Sequence, residues 1–181
     1  MPTATRAPTA TPAPTATPAP TATPAPTATP APPPLPAGLD SYRSSTYGYS
    51  LLYPSGWSVN QSDPSLVTFT GPGSSSIVVD YDLDNTRSDA TAYKVAKVQA
   101  FQATVSNFTT IVEAKDNATQ TWKISVTFTQ GGVAKRAFLF VDYPKPRGFL
   151  LILAAATGDF DALQERFNQA LASWQVAPIV K

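Results

Sequence analysis

Residues 47–59 read YGYSLLYPSGWSV, and the order of their side chains predicts a strand, a turn and a second strand. Large apolar residues occupy every second position from Tyr47 to Tyr53. This period of two is typical of a β-strand with one buried face. The PSG triplet at 54–56 predicts a turn, after which Trp57 begins a short second strand.

The rest of the chain carries further strand and turn signals. Strands are predicted at 66–70, 76–83 and 108–114, in a long hairpin at 119–129 and 133–143, and in the apolar run 149–156. Glycine-rich turns separate the early strands, so we expect the strands between 47 and 83 to form an antiparallel meander. The run 149–156 is far shorter than the roughly 20 residues that cross a bilayer, which predicts a buried strand and no transmembrane segment.

Two segments show helical periodicity. Residues 89–105 lack glycine and proline and place Val98, Phe101 and Val105 at helical spacing. The second segment begins after Asp159, the predicted N-cap. Its apolar stripe contains Phe160, Leu163, Phe167, Leu171 and Trp174. Strands, a helix, more strands and a last helix predict an α+β fold, an antiparallel sheet flanked by helices.

The beginning of the chain is a repeat. Residues 2–31 contain one hexamer five times, as PTATRA followed by four copies of PTATPA. Proline at this density favours polyproline II and leaves little apolar surface for a core, so we expect a disordered stalk-like linker over 1–38 and one globular domain over 39–181. Such stalks are typical of extracytoplasmic domains, at a cell surface, in a periplasm or secreted. Because the first residues lack the pattern of a signal peptide, we expect an upstream signal or anchor absent from this chain.

Charge and composition exclude several function classes. Arg6 is the one charged residue of the repeat, so residues 39–181 hold twelve Lys and Arg against twelve Asp and Glu. This balance disfavours binding to nucleic acid and to anionic membrane surfaces. The chain has no cysteine and no histidine, which removes disulfides, thiolate catalysis, the commonest general base and the commonest zinc ligand.

The segment 47–59 also resembles the opening of PsbP-like domains, where a Gly-Tyr strand runs into a Tyr-Pro-x-Gly-Trp turn. The segment 160–176, with LASW at 171–174, is similar to their closing helix. The resemblance extends over nearly all of 41–177 in element order. It implies an α-β-α sandwich, found in thylakoid lumen subunits of photosystem II and in bacterial exported proteins, usually without catalytic activity. The photosystem proteins act with manganese, calcium and chloride, and no ion-binding residue of the family is matched here.

Three aspartates at alternate positions, Asp80, Asp82 and Asp84, resemble the start of a calcium loop. The match is incomplete, because Asn85 stands where such a loop has glycine and Thr91 stands where it has glutamate. The alternative, which we favour, is a strand with its aspartates on a solvated face. We therefore predict no cofactor; a calcium ion, if bound, is expected where the strand becomes a loop.
The residues of that candidate cation site are Asp82, Asp84 and Asp89.

Aromatic residues crowd the first strands, and exposed rings there would stack on sugars or anchor a partner protein. The candidate ligand or partner surface consists of Tyr47, Tyr49 and Trp57. The alternative, again favoured, places Trp57 and two of the tyrosines in the core.

Enzymatic signals are weak. No G-x-S-x-G motif is present and no serine lies three residues before a lysine, so a serine nucleophile has no visible base. A carboxylate pair stays open, with Asp80 and Asp82 as its candidates. The sequence favours a monomeric, non-enzymatic binding or assembly module with a protein partner, ahead of a carbohydrate or small-ligand binder and a carboxylate-dependent enzyme.

Overall fold

The computed structural model describes residues 1, 3, 35–83 and 86–178. Most of the predicted linker therefore lies outside the described residues, and so does Asp84. The residues from Leu35 to Pro178 belong to one compact unit. Its elements in chain order are β1 (Leu39–Ser44), β2 (Tyr49–Pro54), β3 (Ser58–Asn60), β4 (Leu66–Thr70), β5 (Ser76–Leu83), α1 (Ala90–Gln102), β6 (Ser106–Asp116), β7 (Thr121–Gln130), β8 (Val133–Asp142), β9 (Arg147–Ala156), α2 (Phe160–Ala172) and β10 (Gln175–Val176).

A seven-stranded antiparallel sheet has the order β3-β4-β5-β9-β8-β7-β6. Strand β9 lies near its centre and pairs with β5, where Val79 faces Leu151, and with β8, where Leu139 faces Ile152. The β7–β8 hairpin turns at Gly131 and Gly132, both at positive φ, as a two-residue hairpin loop requires. The predicted hairpin is therefore confirmed.

Strand β2 belongs to a second sheet, of order β1-β2-β10, in which Leu51 faces Tyr42 of β1 and Tyr49 faces Val176 of β10. The predicted meander is thus wrong at its first step, because β2 does not pair with β3. The competing partner β1 was missed in the sequence because its residues, LDSYRS, are mostly polar.

Strand β9 explains how the layers form, because its side chains enter two cores in alternation. Phe149, Leu151 and Leu153 face a core shared with the small sheet and α2, while Leu150 and Ile152 face a core shared with α1. The predicted buried strand is confirmed, and its unbroken apolar run follows from burial on both faces. The predicted α+β sandwich of helices around an antiparallel sheet is confirmed as well.

Both predicted helices are present, with their capping aspartates in unequal roles. The side chain of Asp89 caps α1 by accepting hydrogen bonds from the amides of Thr91 and Ala92. Asp159 is the N-cap of α2, as predicted, although its side chain makes no capping hydrogen bond. No helix among the described residues is both long and apolar enough to cross a membrane.

Candidate functional site

The main concave surface near the predicted aromatic residues is a groove of about 530 Å³. We call it the Tyr47 groove. It is formed by the β1–β2 loop, the end of β5, the start of β9 and the segment after β10. Its lining residues are Arg43, Ser44, Ser45, Thr46, Tyr47, Gly48, Tyr81, Leu83, Pro146, Arg147, Ala177 and Pro178.

Aromatic and aliphatic side chains form the apolar part of the groove. The rings of Tyr47 and Tyr81 are stacked, with centroids 4.0 Å apart and planes 29° from parallel. Leu83, the last residue of β5, leaves 64% of its surface exposed. An exposed leucine next to stacked tyrosines is an apolar patch to which a partner side chain can bind.

Arg147 connects the β1–β2 loop to the segment after β10. Its guanidinium donates to the carbonyl oxygen of Ala177 at 2.6 Å and to that of Tyr47 at 3.4 Å. Gly48, at φ +67°, lets the guanidinium approach, because a Cβ there would lie 3.1 Å from Nη1. Arg43 supplies a second, exposed cation. Arg43 and Arg147 are the charged side chains among the described lining residues of the groove.

Asp142 interacts with Arg147 but is not among the described lining residues of the groove. Its Oδ2 accepts a hydrogen bond of 2.8 Å from Nε1 of Trp174. Burial raises the pKa of Asp142, while the Trp174 bond and the charge of Arg147 oppose that rise. The carboxyl is thus a partly buried counter-charge for Arg147.

The three predicted surface aromatics separate in the structure. Tyr49 is 2% exposed, stacked against Trp174 and packed edge-on against Phe149. Trp57 is buried beneath α2, where it meets Phe167 edge-on. These two rings offer no face to a ligand, because the small sheet and α2 cover them. Tyr47 is half-buried and lines the Tyr47 groove.

The burial of Tyr49 predicts weaker folding at alkaline pH. Burial is the main cause that raises the pKa of Tyr49 far above its ordinary value, so above pH ~10 the unfolded chain loses a proton that the folded chain keeps. The free energy of unfolding then falls with rising pH. We expect Tyr49→Phe to reduce this fall by about 1 kcal/mol per pH unit.
Urea denaturation followed by circular dichroism between pH 8 and pH 11 measures both slopes, and equal slopes in the two proteins contradict the assignment.

Asp80 and Asp82 of β5 are only partly exposed, because Lys97 of α1 reaches over both carboxylates. Nζ of Lys97 lies 2.8 Å from a carboxylate oxygen of Asp80 and 2.8 Å from one of Asp82. Burial opposes the charge of Lys97, but its bonds to both carboxylates together raise its pKa. The predicted solvated face is therefore partly exposed and bridged by a lysine. Both carboxylates of the candidate catalytic pair are thus bound to one ammonium.

The candidate cation site is divided between different roles. Asp82 pairs with Lys97, and Asp89 caps α1. A calcium ion there would compete with an ammonium and with helix amides for these oxygens. No group of three acidic, histidine or cysteine residues suited to a metal occurs in the described ranges, which leave out Asp84. The calcium site stays a prediction.

Comparison with solved structures identifies the architecture. The solution structure of cyanobacterial PsbP, CyanoP, from Synechocystis sp. PCC 6803 superposes with a TM-score of 0.58 at 18% identity. The match covers 78% of this chain and 94% of CyanoP. The chain has a PsbP-like fold. By sequence alone, no family model and no curated protein matches it.

Two other solved structures share the PsbP-like fold of this chain. The Saccharomyces cerevisiae Ran-binding protein Mog1p matches with a TM-score of 0.57 at 8% identity, over 76% of this chain and 95% of its own. LpqN, involved in cell envelope biogenesis of Mycobacterium tuberculosis, matches with a TM-score of 0.51 at 14% identity, over 77% of this chain and 91% of its own. At these identities the likeness shows the fold alone.

Within the PsbP-like fold, the Tyr-Pro-x-Gly-Trp segment is a structural turn. Pro54 and Trp57 are buried, and Gly56 adopts a φ of +82° that favours glycine. The groove residues Tyr81, Leu83 and Arg147 were missed as site residues because they come from segments far apart in the chain. The one local signal was an arginine at the end of the proline-rich turn 144–147.

Proposed function

We propose that this chain is a non-enzymatic binding or assembly module that engages a partner protein through the Tyr47 groove. The observation that carries this proposal is the combination of the Tyr47–Tyr81 stack, exposed Leu83 and the guanidiniums of Arg43 and Arg147 in one opening. Aromatic residues and arginine contribute most to protein–protein binding energy. The partner segment that fits has an apolar side chain next to a carboxylate.

Proteins of similar fold support a binding role. Mog1p is by its name a Ran-binding protein, and LpqN is described as involved in cell envelope biogenesis. Their stated roles differ, so the fold by itself does not choose the partner or the compartment. The choice of a protein partner for this chain rests on its own groove.

The two alternative functions have less support. A carboxylate-dependent enzyme needs two acids near each other in a cleft and free to exchange protons, whereas Asp80 and Asp82 are both paired with Lys97. A carbohydrate platform needs exposed ring faces, and Tyr49 and Trp57 are buried.

We propose an extracytoplasmic location for this module, presented at the end of the proline- and threonine-rich tract. The composition of residues 2–31 supports this location, as does the envelope role stated for LpqN. A cross-linker that cannot cross a membrane tests this location independently of the binding activity.

The partner surface is tested by lysine cross-linking in intact native cells that produce the tagged full chain. We expect Arg43→Glu and Leu83→Asp each to lower the recovered partner about tenfold, because each removes a charged or apolar side chain that lines the groove. The matched control is Leu66→Asp, because Leu66 is also exposed, at 48%, but lies on β4 outside the groove.

If Leu66→Asp lowers the recovered partner as much as Leu83→Asp does, the groove is not the partner surface. The same conclusion follows if Leu83→Asp causes no loss of the partner. Comparison of membrane-impermeant and membrane-permeant cross-linkers tests the location separately. Cross-linking by the permeant reagent alone rejects the extracytoplasmic location and keeps the binding function.

A further inference from the structure

Strand β6 is an edge strand of unusual exposure. It lies at the end of the seven-stranded sheet and pairs with β7 alone. Ten of its eleven residues are exposed, and the apolar Ile111 and Val112 leave 51% and 60% of their surfaces in solvent. The outer row of N–H and C=O groups on such an edge is a template for another strand.

A hollow of about 380 Å³ lies beside this edge, on the face that α2 covers only in part. Ala114 lies opposite Lys123 in the β6–β7 ladder, and Val112 lies opposite Ser125. The small side chains of Ala114 and Ser125 leave space between β6 and Gln164 of α2. The hollow therefore continues from the free edge toward the interior.

The hollow contains polar groups that favour an anion. Nζ of Lys123 donates to Oδ1 of Asn168 at 2.7 Å and lies 4.1 Å from the ring centre of Phe138. Burial lowers the pKa of Lys123, and no carboxylate of the described chain forms an ion pair with it. Oγ of Ser125 is buried without a hydrogen-bond partner among the described residues.

We propose that β6 accepts an extended segment of a partner protein as an eighth strand, and that a carboxylate side chain of this segment enters the hollow to pair with Lys123. Alternate side chains of an added strand project to the α2 face. The strand would lie ~4.8 Å beyond β6. Small Ala114 leaves room for a glutamate to extend over it, so the fitting segment alternates apolar and acidic residues.

A second copy of the chain fits this edge less well. On the α2 face, β6 itself presents apolar Val112 and Ala114. Its acid on that face, Asp116, already accepts hydrogen bonds from the amides of Ala118 and Thr119. Pairing of β6 with β6 would thus bring no free carboxylate to Lys123. The site is also separate from the Tyr47 groove, because β9, β8 and β7 lie between β5 and β6.

Amide NMR of the ¹⁵N-labelled full chain tests the proposal with two capped peptides, TVEVEVT and TVKVKVT. We expect the acidic peptide alone to shift the β6 amides and slow their hydrogen exchange. Lys123→Met should weaken its binding about tenfold, because an ion pair with a partly buried ammonium is lost. Ala114→Leu, which fills the hollow and keeps the charge, should weaken it as well. The matched control, Lys135→Met, changes a lysine of β8 outside the hollow and should bind as the wild type does.

Three results overturn the proposal. The first is equal binding of the acidic and basic peptides, and the second is unchanged affinity in folded Lys123→Met. The third is concentration-dependent protection of β6 without peptide, which would assign the edge to a second copy of the chain.

Discussion

Gly148→Ala is expected to lower the free energy of unfolding by about 3 kcal/mol, the largest stability loss that we predict. Gly148 is buried on β9, and a Cβ there would overlap the ring of Tyr93 from α1. Tyr93 is 1% exposed and stacked on Tyr143 with centroids 4.5 Å apart, so its ring has no free space to enter. Either β9 or α1 must shift, and the shift loosens the close packing of the core between them.

Urea denaturation at pH 7 measures this loss. The matched control is Gly158→Ala, because a Cβ at Gly158 would have no atom within 4 Å and its φ is not positive. We expect the control to change stability by less than about 0.5 kcal/mol. In a Tyr93→Ala background the cost of Gly148→Ala should largely disappear, since the two positions are coupled by contact. Additive losses in the double variant would falsify the overlap.

Lys97→Met is expected to lower the free energy of unfolding by about 2 kcal/mol. The substitution leaves the carboxylates of Asp80 and Asp82 on one face of β5 under α1 without their shared cation. Removal of one partner from a fully buried pair costs more, but these carboxylates keep about a third of their surface in solvent, which reduces the penalty. Methionine fills nearly the same volume, so the charge is the main change.

Lys94→Met is the control, because Lys94 lies on the same helix but pairs with a single carboxylate, that of Glu113 on the exposed edge strand. We expect a loss of about 0.5 kcal/mol from it. Chemical denaturation at pH 7 in low and high salt compares the two variants. If Lys94→Met lowers the free energy of unfolding as much as Lys97→Met does, the pairing of Lys97 with two carboxylates does not stabilise the packing of α1 on the sheet more than a single ion pair does.

The Lys97 bridge also shows how a sequence motif changes meaning in three dimensions. Aspartates at alternate positions of a strand lie on one face, which the period of two predicted. What covers that face depends on α1, whose Lys97 comes from a different part of the chain. The choice among cation site, solvated face and bridged pair therefore required the position of the helix on the sheet.

Much of the secondary structure followed from local pattern. The run 149–156 predicted β9, two consecutive glycines predicted the β7–β8 turn, and the apolar stripe from Phe160 predicted α2. Each depends on side-chain period or on glycine at positive φ, which neighbouring residues set. Polar β1 lacked such a pattern and was missed.

Local sequence patterns predicted the layered α+β class, the approximate positions of most elements and a balance of charge that disfavours nucleic acid. The tertiary structure decided which aromatic rings are accessible, because Tyr49 and Trp57 are buried by elements far away in sequence. The Tyr47 groove and the hollow beside β6 are each lined by residues from segments that are far apart in the sequence, so neither could be predicted from local patterns. Period and propensity act between neighbours along the chain, whereas a binding surface depends on long-range strand pairing and helix packing.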